Sequence, residues 1–334
     1  MPPTTAASGA RSSEPGSSAS SGHSRDRTWR RNNLKRRGIG SRLSDPEIGV
    51  IGIGRMGLPI GSRLHDAGSR VAATDSRNAL AQAAQAAGLR WVDDVAQLAS
   101  TSDVVVTVLP GPQELRGLIV PVLANMRPGS AWIDMTSAVP AVSAEIRARA
   151  AGRIRILECP VGGNPDAARS GKLLGYVGAE SGDLRAHRGL LDTLCQELVH
   201  IGPPGTGYAT KLLVNALWFG QALAVAELLA LGSRIGLDPH ALKQTITRGP
   251  AASRVVDEAG EALLRGDHMT TFGLGRCVEE IEGVLDLARG RGLSLPVTST
   301  VADLYQQALE QYGDADGELL AARYLSEQLG VRFS

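Results

Sequence analysis

The stretch Ile48-Gly49-Val50-Ile51-Gly52-Ile53-Gly54-Arg55-Met56-Gly57 decides the fold of this chain. Its first four residues form an apolar run of strand type, and the glycines after it open a helical pattern that ends near Gly68. Gly52 permits a tight turn, Gly54 lets backbone approach a pyrophosphate, and Gly57 allows a helix to pack closely on a strand. The helix N-terminus, reached through Ile53, Arg55 and Met56, offers free N–H groups and a positive dipole end to phosphates. A second strand follows at residues 70–74, and Asp75 closes it 23 residues after Gly52. That spacing is near the roughly 20 residues expected for an acid that binds a ribose 2′-OH.

Outward from this motif, strand and helix patterns alternate. Residues 104–109, 131–135 and 154–158 are further buried strands with helical sequence between them, and residues 78–87 are rich in helix formers. Continuous apolar runs separated by helices predict a parallel sheet covered on both faces. After Val177 the strands thin out, with residues 198–201 as one last strand. An apolar helix then runs from Tyr208 to about Leu231, followed by helices near 239–247, 253–265, 272–291, 296–312 and 317–329. The predicted fold is α/β, with an N-terminal Rossmann-type doubly wound parallel sheet followed by an all-helical C-terminal domain. The expected segments are a disordered basic tail at 1–46, a dinucleotide-binding domain at 47–207, and a helical substrate and dimerisation domain at 208–334.

Composition narrows the functional classes. The chain has 334 residues, 43% of them hydrophobic and 21% charged, the balance of an ordinary globular protein. Its net charge of +1 hides an asymmetry: residues 1–46 carry nine Arg or Lys against Glu14, Asp26 and Asp45, so the remainder is mildly acidic. An acidic body argues against a nucleic-acid surface. The tail is Ser-, Ala- and Gly-rich and then basic from Arg25 to Arg42, without the apolar core of a secretory signal. It reads as a solvated extension. Cys159, Cys195 and Cys277 stand far apart in sequence and form neither a CxxC motif nor a zinc ribbon, so no metal site is predicted and a reducing, cytoplasmic compartment is expected. The stretch 212–231 is long enough to span a bilayer, but it carries Asn215, Gln221 and Glu227. It reads as the central helix of a soluble protein, with no membrane partner. Its apolar surface exceeds what one small domain covers, which predicts a homodimer or homotetramer.

Lys211 is one of only four lysines beside 31 arginines, and it falls in the first turns of that apolar helix. Burial there lowers a lysine's pKa towards a range useful for proton transfer. Asn215, four residues on, shares the same helix face. At the other end of the expected site, Asp75 accepts hydrogen bonds from ribose hydroxyls and repels a 2′-phosphate. Ser76 suits either ribose, and Arg77 offers a guanidinium that clamps a phosphate. The carboxylate at a fixed strand end makes NAD the expected cofactor, with NADP as the alternative.

Five ordered motifs resemble the β-hydroxyacid dehydrogenase family, which includes 3-hydroxyisobutyrate dehydrogenases. They are the glycine stretch 48–57 with Met56 before its third glycine; Leu109-Pro110; Asp134-Met135-Thr136-Ser137 with Pro140; Glu158 to Gly171; and Gly205 to Asn215. The resemblance covers about residues 47–329. It implies NAD(P)-dependent interconversion of a short 3-hydroxyacid, or a similar small alcohol, and its carbonyl. It implies that Leu109, Pro110 and Ser137 contact the cofactor and that Thr136, Gly162, Gly163 and Asn164 face the substrate. It also makes Lys211 the catalytic acid–base group, with Asn215 fixing the substrate hydroxyl.

The chain departs from the family at named positions. The usual Asp-x-Pro-Val-Ser-Gly-Gly is Glu158-Cys159-Pro160-Val161-Gly162-Gly163-Asn164 here, so Gly162 replaces a serine that binds the substrate carboxylate. A Lys-Asp pair near the cofactor aligns with Glu279-Glu280. Two other readings stand beside the main one. An imine reductase-like enzyme shares the two-domain plan but usually lacks the motif lysine, and a non-catalytic dinucleotide-binding protein is at odds with Lys211 and Asn215 together.

Overall fold

The computed structural model describes residues 46–333; of the disordered tail expected at 1–46, residues 1–45 lie outside the described residues. Strand β1 (Glu47–Ile51) shows why the sheet is buried on both sides. Ile48 and Val50 enter one core with Ile60 and Leu64, while Ile51 enters the opposite core with Leu98 and Trp132. The glycine stretch leads into α1 (Gly57–Asp66), then β2 (Arg70–Thr74), a short 3₁₀ turn with α2 (Ala81–Ala86), β3 (Arg90–Trp91) and α3 (Val95–Thr101). β4 (Val104–Thr107), α4 (Pro112–Asn125), β5 (Ala131–Asp134), α5 (Pro140–Ala150) and β6 (Arg155–Glu158) complete the second half. The strand order β3-β2-β1-β4-β5-β6 is parallel throughout. The order reverses between β1 and β4, and a ligand crevice is expected at the carboxyl ends of those strands.

Beyond β6 the sheet is not purely parallel. β7 (Val161–Gly162) and β8 (Leu173–Gly178), separated by α6 (Pro165–Ser170), pair with each other antiparallel. β8 also runs antiparallel to β6, whereas β9 (Cys195–Gly202), reached through α7 (Ser181–Leu194), is parallel to β8. The short β3 and β7, two residues each, carry too little alternation to be seen in sequence. Cys159 and Cys195, distant in sequence, meet as buried free thiols beside Gly175; their contact pushes the Cys159 thiol well above the ordinary range.

The helical part begins with α8 (Thr206–Arg234), two residues earlier than its apolar pattern suggests. It is followed by α9 (Pro239–Arg248), α10 (Arg254–Leu264), α11 (Leu274–Arg289), α12 (Pro296–Tyr312) and α13 (Leu320–Gln328). A separate core joins Phe219 and Leu223 of α8 to Val255, Ile281, Tyr305 and Ala321. Among the described residues, α8 alone is long and apolar enough to cross a membrane. It is buried along one face only: Leu213, Leu217, Leu228 and Leu231 are each more than half exposed, because α10 to α13 cover the other side.

Two buried carboxylates tie α8 to the sheet. Asp134, at the end of β5, accepts hydrogen bonds from Tyr208 Oη (2.7 Å), Thr136 Oγ1 (2.8 Å) and Thr107 Oγ1. Glu158, at the end of β6, accepts from Gly205 N (2.5 Å), Tyr208 N (3.4 Å) and Ser143 Oγ. A carboxylate facing the first N–H groups of a helix also meets the positive end of its dipole. Burial pushes the Asp134 carboxyl up to about 7, with its hydroxyl partners opposing the shift. Asp134→Ala leaves three buried hydroxyls without an acceptor and should cost about 3 kcal/mol in denaturant unfolding. Folding raises this carboxyl from its ordinary 3.8, so its contribution is full below that value and declines as pH rises through about 7. The stability difference between the two proteins should therefore be larger at pH 5 than at pH 8.

Candidate active site

The glycine stretch is a cradle in which side chains do not fit. Gly52 has φ +87°, and a Cβ on it would lie 2.4 Å from the Val108 carbonyl oxygen. A Cβ on Gly57 would lie 1.8 Å from Gly52 O. Around this bend the N–H groups of Gly54, Arg55 and Met56 donate to no described residue, while Ile53 N donates to Asp75 Oδ2 at 3.0 Å. Free N–H groups at the start of α1, with an acid at the end of β2, are the donor and acceptor set that a dinucleotide's pyrophosphate and ribose require. The residues fit the group. Ile53 serves it indirectly, by aiming the acid.

Asp75 is not open to solvent. Arg77 folds back on it, with Nε on Oδ1 (2.9 Å), Nη2 on Oδ2 (3.1 Å) and its backbone N on Oδ1 (3.0 Å). Burial pushes the Asp75 carboxyl up, but these contacts and Ile53 N outweigh it and hold the group below the usual range. Ser76 between them is exposed. The Arg55 side chain turns away from the cradle, pairing with Asp316 (2.5 Å) and donating to Thr270 O (2.9 Å), which leaves its backbone N–H for a phosphate.

Leu109 packs over Gly52, and its N–H donates to Thr136 Oγ1 at 3.1 Å. Pro110 and Ser137 line a small cavity together with Leu212 of α8 and Arg276, Glu279 and Glu280 of α11. The cation absent from position 279 reappears one helical turn earlier. Arg276 pairs with Glu279 (2.7 Å) and, across the cleft, with Glu114 of α4 (2.6 Å), and it leaves no room for a Cβ on Gly111. Sequence reading passed over Arg276; its signal is the i, i+3 spacing to Glu279.

Deeper along α8, Lys211 Nζ donates to Asn215 Oδ1 at 3.0 Å, and Asn215 Nδ2 donates to Glu280 Oε2 at 2.6 Å. A carboxylate only accepts, so Glu280 fixes which end of the amide faces the lysine. Burial pushes Lys211 below the ordinary lysine value, while Glu280 and Glu318 pull it back up. Burial likewise raises Glu280, against the Lys211 charge and the Asn215 amide. Glu318, in the loop before α13, is raised by burial to about 7, with Lys211 opposing. Position 318 carries no motif, which is why sequence reading missed it.

The expected substrate-facing residues are placed unequally. Thr136 is buried, and its hydroxyl donates to Asp134 and accepts from Leu109 N, which braces the loop. Asn164 Oδ1 caps α6 by accepting from Ala167 N at 2.9 Å, which leaves its Nδ2 free for a ligand. Gly162 and Gly163 stay at the surface of the sheet edge, with only backbone to offer.

A glycine cradle, an acid at the end of β2 and a buried lysine beyond the cleft together define a dinucleotide-dependent oxidoreductase. Residues 47–202 match the NAD binding domain of 6-phosphogluconate dehydrogenase, and residues 205–325 match the NAD-binding domain of NADP-dependent 3-hydroxyisobutyrate dehydrogenase. A probable 3-hydroxyisobutyrate dehydrogenase of Mycobacterium tuberculosis H37Rv is 26% identical over 277 residues, covering 80% of this chain and 94% of that protein. The solved structure of a Mycobacterium tuberculosis 3-hydroxyisobutyrate dehydrogenase with L-serine superposes with TM-score 0.77 at 24% identity, covering 86% of this chain and all of that one. An imine reductase from Myxococcus stipitatus with NADP+ gives TM-score 0.58 at 20% identity over 84% of this chain and all of that one. The chain belongs to the β-hydroxyacid dehydrogenase family, an oxidoreductase family that uses NAD(P).

Proposed function

We propose that this protein interconverts a short 3-hydroxyacid and its carbonyl partner, with Lys211 as the general acid–base group. The observation that carries this reading is the buried chain from Lys211 through Asn215 to Glu280, next to the cavity that holds Pro110 and Ser137. When bound, NAD(P) supplies the hydride acceptor or donor at its nicotinamide C4. The pyrophosphate would rest on the N–H groups of Gly54, Arg55 and Met56, and the nicotinamide end near Leu109, Pro110 and Ser137. In oxidation, neutral Lys211 takes the hydroxyl proton; in reduction, its ammonium returns a proton to the carbonyl oxygen. Asn215 holds the lysine in one rotamer and keeps a second amide hydrogen for the substrate oxygen. A lysine in this place favours the hydroxyacid reading over an imine reductase.

Lys211→Ala should lower turnover by about 10²–10⁴ while leaving reduced-nucleotide affinity within about twofold. Oxidation needs the neutral amine, so its rate should rise with pH to a plateau reached below the ordinary lysine pKa. Glu318 raises the lysine's pKa by its charge. Glu318→Gln should therefore move that rise to lower pH, and an unmoved profile would separate Glu318 from Lys211.

NAD is the proposed preference, because Asp75 sits at a fixed strand end and Arg77 is already committed to it. Fluorescence titration should show tighter binding of NADH than NADPH, and Asp75→Ala should narrow the gap by freeing Arg77 for a 2′-phosphate. Three buried free thiols accord with a reducing, cytoplasmic compartment.

A second copy of the chain is the proposed cover for the exposed leucines of α8, giving a homodimer or a larger homo-oligomer. Leu217, at 62% exposure, marks that face. Sedimentation should show a homo-oligomer, and Leu217→Glu should shift it towards monomer. A wild-type monomer at micromolar concentration would remove this assignment.

A further inference from the structure

Residues 161–163 form the edge of the expected substrate loop and present little but backbone, yet the strand beside them carries a hydroxyl. Gly162 pairs with Leu174 across β7 and β8, and Tyr176 stands two residues further along the same face. A Cβ on Gly162 would lie 3.2 Å from Tyr176 Oη and 3.7 Å from its Cε2. The phenol thus fills the space into which a side chain at position 162 would grow.

That face of the sheet looks towards the start of α8. A Cβ on Gly178 would lie 2.5 Å from Gly207 N, and a Cβ on Gly207 would lie 2.8 Å from Tyr176 O. Lys211 follows Gly207 by one helical turn. Tyr176 as a residue is only 9% exposed, yet its hydroxyl is not among the buried unpaired polar atoms of the described residues, so the oxygen itself stays open to solvent or to a ligand. Arg254, at the start of α10, and Glu197, on β9, both lie close enough for their charges to act on the phenol, with opposite signs. Burial nevertheless pushes the phenol above its ordinary range, so it stays protonated and donates at neutral pH.

We infer that Tyr176 is a substrate-binding residue whose hydroxyl, in place of a side chain at position 162, donates to the carboxylate of the hydroxyacid. The ligand class is a small carboxylate, with its anionic end held at Tyr176 beside the Gly162–Gly163 edge. The substrate carboxylate is kept in this chain; its donor has moved to the neighbouring strand. The assignment rests on the hydroxyacid reading for the identity of the ligand, not for its geometry.

The test separates binding from chemistry. The enzyme saturated with its reduced nucleotide is titrated with 3-hydroxyisobutyrate and with L-serine, following nucleotide fluorescence, and 2-methyl-1,3-propanediol serves as the carboxylate-free control. Tyr176→Phe should weaken carboxylate binding by about tenfold or more and leave the diol and the nucleotide unaffected. In turnover, KM for the acid should rise while kcat changes less than about twofold. Tyr176→Phe removes the atom closest to position 162, so Gly162→Ser added to it should recover most of the carboxylate affinity. Gly162→Ser alone should weaken binding, because it pushes on the phenol. Unchanged carboxylate affinity in Tyr176→Phe, or an equal loss for acid and diol, overturns the assignment. Carboxylate binding that depends on Tyr176 in an enzyme that turns over no hydroxyacid would overturn the dehydrogenase reading and uphold this one.

Discussion

The first turn of α8 is held by two acids that are almost fully out of water, and the site depends on that attachment. Asp134 takes the Tyr208 hydroxyl and Glu158 takes the Gly205 and Tyr208 N–H groups. Both acids sit at the carboxyl ends of neighbouring parallel strands, where the crevice opens. Lys211 lies three residues beyond Tyr208, so its position relative to the cofactor loops is set by these contacts rather than by packing of the distant helices. Buried carboxylates are costly unless their oxygens are satisfied, and here backbone N–H groups and hydroxyls satisfy them. The cost is borne where two separately built cores must meet in register.

Inside the site, one amine faces two acids. Burial lowers Lys211 and raises Glu280 and Glu318; the amine and the two acids oppose each other's shifts, while Glu280 adds to that of Glu318. When groups interact this closely, their titration belongs to the cluster rather than to any member. Asn215 divides the work: it bonds Lys211 through its oxygen and Glu280 through its nitrogen, so neither the amine nor the carboxylate can turn independently. The cross-cleft pairs Arg55–Asp316 and Arg276–Glu114 stand near the expected cofactor path and join the sheet domain to the helices.

Sequence order revealed the parts of the molecule that repeat a local rule. The glycine cradle, the acid at residue 75 and the long helices were legible because turn chemistry and apolar periodicity act over a few residues. Lys211 and Asn215 were legible because helical spacing places them on one face. The contact of the Thr136 hydroxyl with Leu109 N was not legible, because it exists only once β4 and β5 lie side by side. The cap that Asn164 gives α6 was not legible because it depends on α6 starting at Pro165. The Arg276 bridge to Glu114, the charge of Glu318 on Lys211 and the approach of Tyr176 to Gly162 were invisible because each acts across an element boundary.

The departures from the family pattern acquire a common explanation at this level. Where the chain carries Glu279, a guanidinium returns from Arg276 on the same face of α11 and reaches the same wall of the cleft. Where it carries Gly162, the neighbouring strand fills the vacated volume with Tyr176. In both places a charge or hydroxyl is displaced by one helical turn or one strand, and the position facing the cleft keeps a donor. A site diverging in this way can hold its electrostatic pattern while its sequence motif erodes. Residues must then be compared by the space they occupy, because alignment position no longer tracks the chemistry.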